Sequence, residues 1–163
     1  ALRDSMWAFD ASSMIYAWDN YPEKHFPRLW EWLGIQIASG IITMPLVAFE
    51  ETSSKSPDCG KWLKDANLSI LHPSTAILKC AANLKSLLGI EGDRYGVGVG
   101  ENDLIIIATA EINGLPLVSN EAVQMSLPKV LSKYKIPAVC SLKNPPTTVI
   151  DFLAYIKQSG AKF

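Results

Sequence analysis

Short apolar runs alternate along the chain with stretches of helical spacing. Trp7 to Phe9 is an apolar run closed by Asp10, the pattern of a buried strand. Ser12 to Asp19 follows as a helix that Ser12 or Ser13 can cap. Pro27 suits a first helical turn, Leu29, Trp30, Leu33 and Ile37 recur near helical spacing, and Gly40 suits a left-handed stop. Ile41 to Met44 is a second apolar run, and Pro45 opens a helix that carries Glu50 and Glu51. Leu68 to His72 is a third strand candidate. Ser74 caps a helix predicted to reach Leu88 and stop at Gly89, and Glu91 to Gly100 is a glycine-rich loop. Asp103 to Asn113 has an apolar stripe and ends before Gly114. Leu115 to Ser119 is a strand whose start admits Pro116. Thr148-Val149-Ile150-Asp151 reads as a capping box opening a last helix toward Ser159.

Strands alternating with helices predict an α/β fold with a parallel sheet and right-handed crossovers. No linker interrupts the pattern, so residues 6–163 read as a single domain. Ala1 to Ser5 reads as a non-native remnant ahead of a native Met6.

Composition narrows the classes. The 163 residues are 48% hydrophobic, enough for a sizeable core, and the net charge of −1 excludes a generally basic nucleic-acid coat. Cys59, Cys80 and Cys140 form no CxxC pair and cannot all pair with one another, which argues for a reducing cytoplasm and against a zinc ribbon. Trp32 to Phe49 is uncharged, but Gly34, Gln36, Ser39, Gly40, Thr43 and Pro45 interrupt it, so no membrane span is expected. The N-terminus lacks the pattern of a signal peptide.

Function in open α/β sheets tends to sit beyond the carboxyl ends of the strands. Asp10, Glu50 or Glu51, Asp103 and Glu121 all fall at such places, with Ser119 and Asn120 beside the last. Clustered carboxylates repel one another, and a divalent cation removes that penalty. Oxygen ligands suit Mg²⁺ or Mn²⁺, which can activate water for displacement at phosphorus. Each residue also has a plainer reading. Asp10 can cap a helix, Glu50, Glu51 and Asp103 can complement a helix dipole, and Glu121 can be a solvated helix-start residue.

Phe9-Asp10-Ala11-Ser12-Ser13-Met14-Ile15 resembles the opening acidic motif of PIN domains. Glu101 to Ala110 resembles their Asp-led apolar helix, and Asn113 to Glu121 their following strand and Thr-x-Asp element. Pro45 to Glu51 sits where the family's second acid belongs. The aromatic-rich Tyr16 to Trp32, the Tyr95 loop and the ending Ser159 to Phe163 resemble a little-characterised bacterial PIN-like subfamily of toxin type. The resemblance implies a PIN-like three-layer sandwich around a parallel sheet of four or five strands. It implies a Mg²⁺- or Mn²⁺-dependent endoribonuclease, the toxin of a toxin–antitoxin pair, with an RNA substrate, an antitoxin partner and a homodimer. Asp10, Glu50, Asp103 and Glu121 carry over as catalytic metal ligands, with Ser12, Ser119 and Glu51 in support. Glu50 fits the second acid better than Glu51. Glu121 stands where the family has Asp, so it binds the ion directly or through water. The alternative is a PIN-like nucleic-acid-binding or regulatory domain with little or no catalysis.

Other motifs carry less. Gly96, Gly98 and Gly100 lack the preceding strand of a dinucleotide fingerprint and read as a mobile loop beside Asp103. His25 and His72 have no nucleophile-elbow partner. Ser12 occupies the place where a haloacid-dehalogenase-type phosphotransferase has a second Asp. Trp18, Trp30 and Trp32 suit core or interface better than base stacking. Lys61 with Lys64, and Lys129 with Lys133 and Lys135, suit either phosphate contacts or a solvated face.

Overall fold

The computed structural model describes residues 6–163. The expectation for Ala1 to Ser5 lies outside the described residues. Five strands form one parallel sheet in the order β3-β2-β1-β4-β5: β1 Trp7–Phe9, β2 Ile42–Pro45, β3 Ser69–Leu71, β4 Leu117–Val118 and β5 Val149–Ile150. The register pairs Ala8 with Thr43 on one side of β1 and with Leu117 on the other. Val118 in turn pairs with Ile150. The helices are α1 Ala11–Asn20, α2 Pro27–Ala38, α3 Leu46–Lys55, α4 Pro57–Asp65, α5 Thr75–Leu87, α6 Glu101–Asn113, α7 Ile136–Leu142 and α8 Phe152–Ser159. They flank the sheet in the expected three-layer sandwich.

The chain winds outward from β1 to β3, returns across the sheet, and winds the other way through β4 to β5. Right-handed crossovers then send helices to both faces, and the winding reverses between β1 and β4. The central strands are short and apolar because both faces are covered: Ala8, Phe9, Ile42, Met44, Leu117 and Val118 are all buried. Helices α1 and α2 meet α4 through an aromatic cluster in which Trp18 and Trp62 pack edge-on around the buried Trp30. Trp30 is therefore a core residue and Trp18 packs against it, in keeping with the core-or-interface expectation.

Several expectations need correction. Val149 and Ile150 form β5 and not a helix start. The cap of α8 is Asp151, whose Oδ1 accepts from the Ala154 N–H at 2.8 Å. Helix α6 begins at Glu101, with Asp103 on its third residue and Gly100 as N-cap. Glu121 lies in an irregular loop after β4. Helices α4 and α7 were not expected. Ser74 does cap its helix, accepting from the Ile77 N–H at 3.2 Å. All three cysteines are free and buried. Burial pushes each thiol up to about 12, so none is a ready nucleophile. Among the described residues no helix is long and apolar enough to cross a membrane.

Within the glycine run, Gly98 is tightly packed. A methyl group on Gly98 would stand 2.6 Å from the Tyr134 carbonyl oxygen and 2.7 Å from the Lys133 carbonyl carbon. The adjacent Val99 N–H donates to the Tyr134 carbonyl at 2.9 Å. Close backbone approach, and not loop mobility, is what requires glycine at position 98.

Candidate active site at the strand switch point

β1 delivers Asp10 to the carboxyl edge of the sheet, at the N-cap position of α1. Its side chain makes no cap bond. Instead Oδ2 accepts from the Ser12 hydroxyl at 2.7 Å and from the Ser119 hydroxyl at 2.8 Å. Asp10 is 2% exposed. Ser119 arrives from the end of β4, so the two strands flanking the reversal are joined by this carboxylate. The loop beyond β4 is tied into the same group: the Asn120 N–H donates to Ser12 Oγ at 2.9 Å and the Glu121 N–H to Ser119 Oγ at 3.2 Å. Asn120 also accepts from the Phe152 N–H at 3.0 Å, which fixes the loop against α8. The Ser13 hydroxyl donates to the carbonyls of Asp10 and Val118 and closes the joint.

Asp103 enters from α6. Its Oδ2 accepts from the Gly100 N–H at 2.9 Å, the reciprocal half of a capping box. Burial raises its carboxyl from 3.8 to about 6. The charges of Asp10 and Glu121 add to that rise, against the Gly100 N–H and Lys55. Glu121 is also raised, by burial first and then by Asp10 and Glu51, with Lys135 and Lys55 opposing.

The second acid is where the structure departs from expectation. Helix α3 buries Ala48 and Thr52, one turn apart. Glu51 lies beside that face, half-buried, and its carboxyl is raised by burial and by Asp10 and Asp103, against Lys55. Glu50, about 100° round the helix, is exposed. The structure thus brings Glu51, and not the preferred Glu50, toward Asp10, Asp103 and Glu121. Leu46, Val47 and Phe49 could not fix that face. The signal was the Ala48/Thr52 pair, whose Thr52 hydroxyl donates back to the Ala48 carbonyl at 2.8 Å.

Sequence reasoning also passed over two groups. Lys55 follows Glu51 by one turn, with Nζ 3.9 Å from Glu51 Oε1. Asn120 was noted only as a neighbour, yet its two bonds hold the loop. Elsewhere, Lys61 pairs with Asp65 at 2.8 Å on the exposed surface of α4, the solvated-face reading. His25 and His72 are exposed.

The donor set is all oxygen, and both aspartates are tied to the protein through Oδ2. Oδ1 of each has no side-chain or backbone partner among the described residues. Among the same residues no three acidic, cysteine or histidine side chains close on a common point. Carboxylate oxygens are the donor type that Mg²⁺ or Mn²⁺ takes.

A family profile described as "Domain of unknown function (DUF4411)" matches residues 7–163. The chain belongs to the DUF4411 family. No functionally curated protein matches it in sequence. Among solved structures, this DUF4411 chain is similar to VapBC2 from Rickettsia felis, bound to a DNA fragment from its promoter. The TM-score is 0.54 at 18% identity, covering 90% of this chain and 98% of that one. It is also similar to PAE2754 from Pyrobaculum aerophilum, with a TM-score of 0.52 at 14% identity, covering 96% and 98%. At these identities the likeness shows the fold, and the DUF4411 chain has the PIN-like sandwich that its acidic motifs resemble.

Proposed function

We propose that the chain is a Mg²⁺- or Mn²⁺-dependent endoribonuclease, the toxin half of a toxin–antitoxin pair. One observation carries the reading. Carboxylates from four distant segments gather where the sheet reverses its winding, and burial with mutual repulsion raises three of them, Glu51, Asp103 and Glu121. Such a group has a deficit of positive charge.

Asp10 and Asp103 would hold the ion through their free Oδ1 atoms, and Glu51 and Glu121 directly or through its waters. When bound, the ion supplies water activation and neutralises charge developing at phosphorus. The chain's own contribution is positional. Ser12 and Ser119 fix the Asp10 carboxylate, the Gly100 N–H fixes Asp103, and Asn120 holds the Glu121 loop in place. This is how outer partners commonly orient metal ligands. An RNA phosphodiester lying across the carboxylates would be hydrolysed to leave a 5′ phosphate.

An antitoxin partner is supported by the Rickettsia felis neighbour, a complex seated on promoter DNA. The three buried thiols suit a reducing cytoplasm. The reading includes a homodimer, which sedimentation would check. A second reading, a nucleic-acid-binding domain with little catalysis, is favoured by the openness of the acid group and by Glu in place of Asp at position 121.

Cleavage of a purified RNA separates the two. Activity should vanish in EDTA, return with Mn²⁺, and be missing from a matched Asp103→Asn preparation. Glu51→Gln should lose ~10-fold or more, while Glu50→Gln stays close to wild type. Equal cleavage in EDTA and in Asp103→Asn would mark a contaminant and leave the binding-domain reading.

A further inference from the structure

A polyanion must approach an acidic centre on a chain whose net charge is −1. Two lysines stand at that centre, on different flanks. Lys55 projects from α3 one turn beyond Glu51, with its side chain 65% exposed and Nζ 3.9 Å from Glu51 Oε1. That separation exceeds hydrogen-bond length, so the pair is loose and contributes little to stability. The Lys55 charge is nevertheless felt at Glu51, Asp103 and Glu121.

Lys135 is near enough to Glu121 for its charge to counter the rise of that carboxyl. It is half-buried just ahead of α7. Its backbone N–H donates to Gln124 Oε1 at 2.9 Å, and Gln124 Nε2 donates to the Lys133 carbonyl at 3.1 Å. One glutamine therefore ties the Glu121 loop to the segment bearing Lys135. Lys61 makes the contrast, being engaged by Asp65 at 2.8 Å.

Building on the nuclease reading, we propose that Lys55 and Lys135 are positioning residues that hold RNA backbone phosphates on either side of the carboxylate group. Lys55 is free to leave Glu51 once an ion takes over that carboxylate's charge. With the ion in place, its two charges and the two lysines balance the four carboxylates. The approaching backbone then meets no net negative charge, and the two lysines are the groups that contact its phosphates. Because the contacts are to phosphate, they carry no sequence information.

The test is binding, read apart from cleavage. A fluorescein-labelled oligouridylate is titrated by anisotropy across a range of salt, with Ca²⁺ present and the probe verified intact on a gel. Lys55→Ala and Lys135→Ala should each weaken binding by about threefold to tenfold and lower the salt slope by about 0.7, the value for one single-strand phosphate. Lys55→Arg should retain both, and Lys61→Ala, the same loss of charge elsewhere, should change neither. Thermal midpoints confirm that the variants are folded, and Lys135→Arg covers a folding defect in Lys135→Ala. An unchanged slope, an equal loss in Lys61→Ala, or no oligonucleotide binding by the wild type would overturn the assignment. Binding with the expected slopes but no Mn²⁺-dependent cleavage would keep the lysine assignment and end the nuclease reading.

Discussion

Removing the Asp103 charge should stabilise the metal-free protein at neutral pH. The carboxyl is raised from 3.8 to about 6 by burial and by Asp10 and Glu121, despite the Gly100 N–H. The folded chain therefore holds this proton more tightly than the unfolded chain. Its contribution favours folding fully below 3.8 and is lost as pH rises through about 6. That rise corresponds to ~3 kcal/mol, which solvent around a half-buried carboxylate reduces toward ~1–2 kcal/mol. Asparagine keeps an acceptor for the Gly100 N–H and drops the charge. In EDTA at about pH 8, urea unfolding should show Asp103→Asn more stable than wild type by ~1–2 kcal/mol. The gap should close by about pH 4, where the wild-type carboxyl is itself protonated. Mn²⁺ at ~100-fold over its Kd should then stabilise the wild type by ~2.7 kcal/mol and the variant by less. A variant less stable than wild type at pH 8, or a gap that persists into acid, would refute the account of charge repulsion at this carboxylate.

Two further outcomes follow from packing. Gly98→Ala should cost ~1–3 kcal/mol in thermal or urea unfolding, because the new methyl meets backbone at Lys133 and Tyr134. Gly96→Ala, with nothing within 4 Å, should be tolerated. At the opposite end of the sheet, Lys143 is almost wholly buried and donates to Glu111 Oε1 at 2.7 Å and to the Pro145 carbonyl at 2.7 Å. Lys143→Met should cost ~1–3 kcal/mol by taking the lysine from Glu111, which is a quarter exposed and keeps only the Cys80 thiol at 2.9 Å, and adding Glu111→Leu should recover much of the loss.

The sequence was most legible where local chemistry and tertiary packing agree. β1, β2 and β4 are apolar on both faces, and runs such as Trp7 to Phe9 announce this. Asp10, Asp103 and Glu121 could be placed because each follows a strand or opens a helix beside the sheet edge. β5 was hidden because Val149 and Ile150 are only two residues, lying inside a pattern that also fits a capping box. Helix α4 carries Asp58, Lys61, Lys64 and Asp65, and its fit to α3 rests on Gly60 against Ser53, a contact no periodicity encodes. Helix α7 holds Pro137 in its first turn, where proline is tolerated but reads as a break. The choice between Glu50 and Glu51 depended on which face of α3 meets the sheet. Two small residues, Ala48 and Thr52, set that face, while the larger apolar residues around them pointed nowhere in particular.

The place of β1 in the sheet has a consequence in time. Of the five strands β1 is both the central one and the earliest in sequence, and its partner on one side, β4, comes more than a hundred residues later, as does Ser119, 109 positions beyond Asp10. Asp103 and Glu121 are also late. A nascent chain can pair β1 with β2 early, but it cannot fix the Asp10 carboxylate or gather the acids until residues 117–121 have emerged. Contacts this distant in sequence also form slowly. The centre is therefore completed only when β4 and the loop after it have emerged. A fragment that stops before β4 carries Asp10 and Glu51 but lacks Ser119, which holds the Asp10 carboxylate, and Glu121.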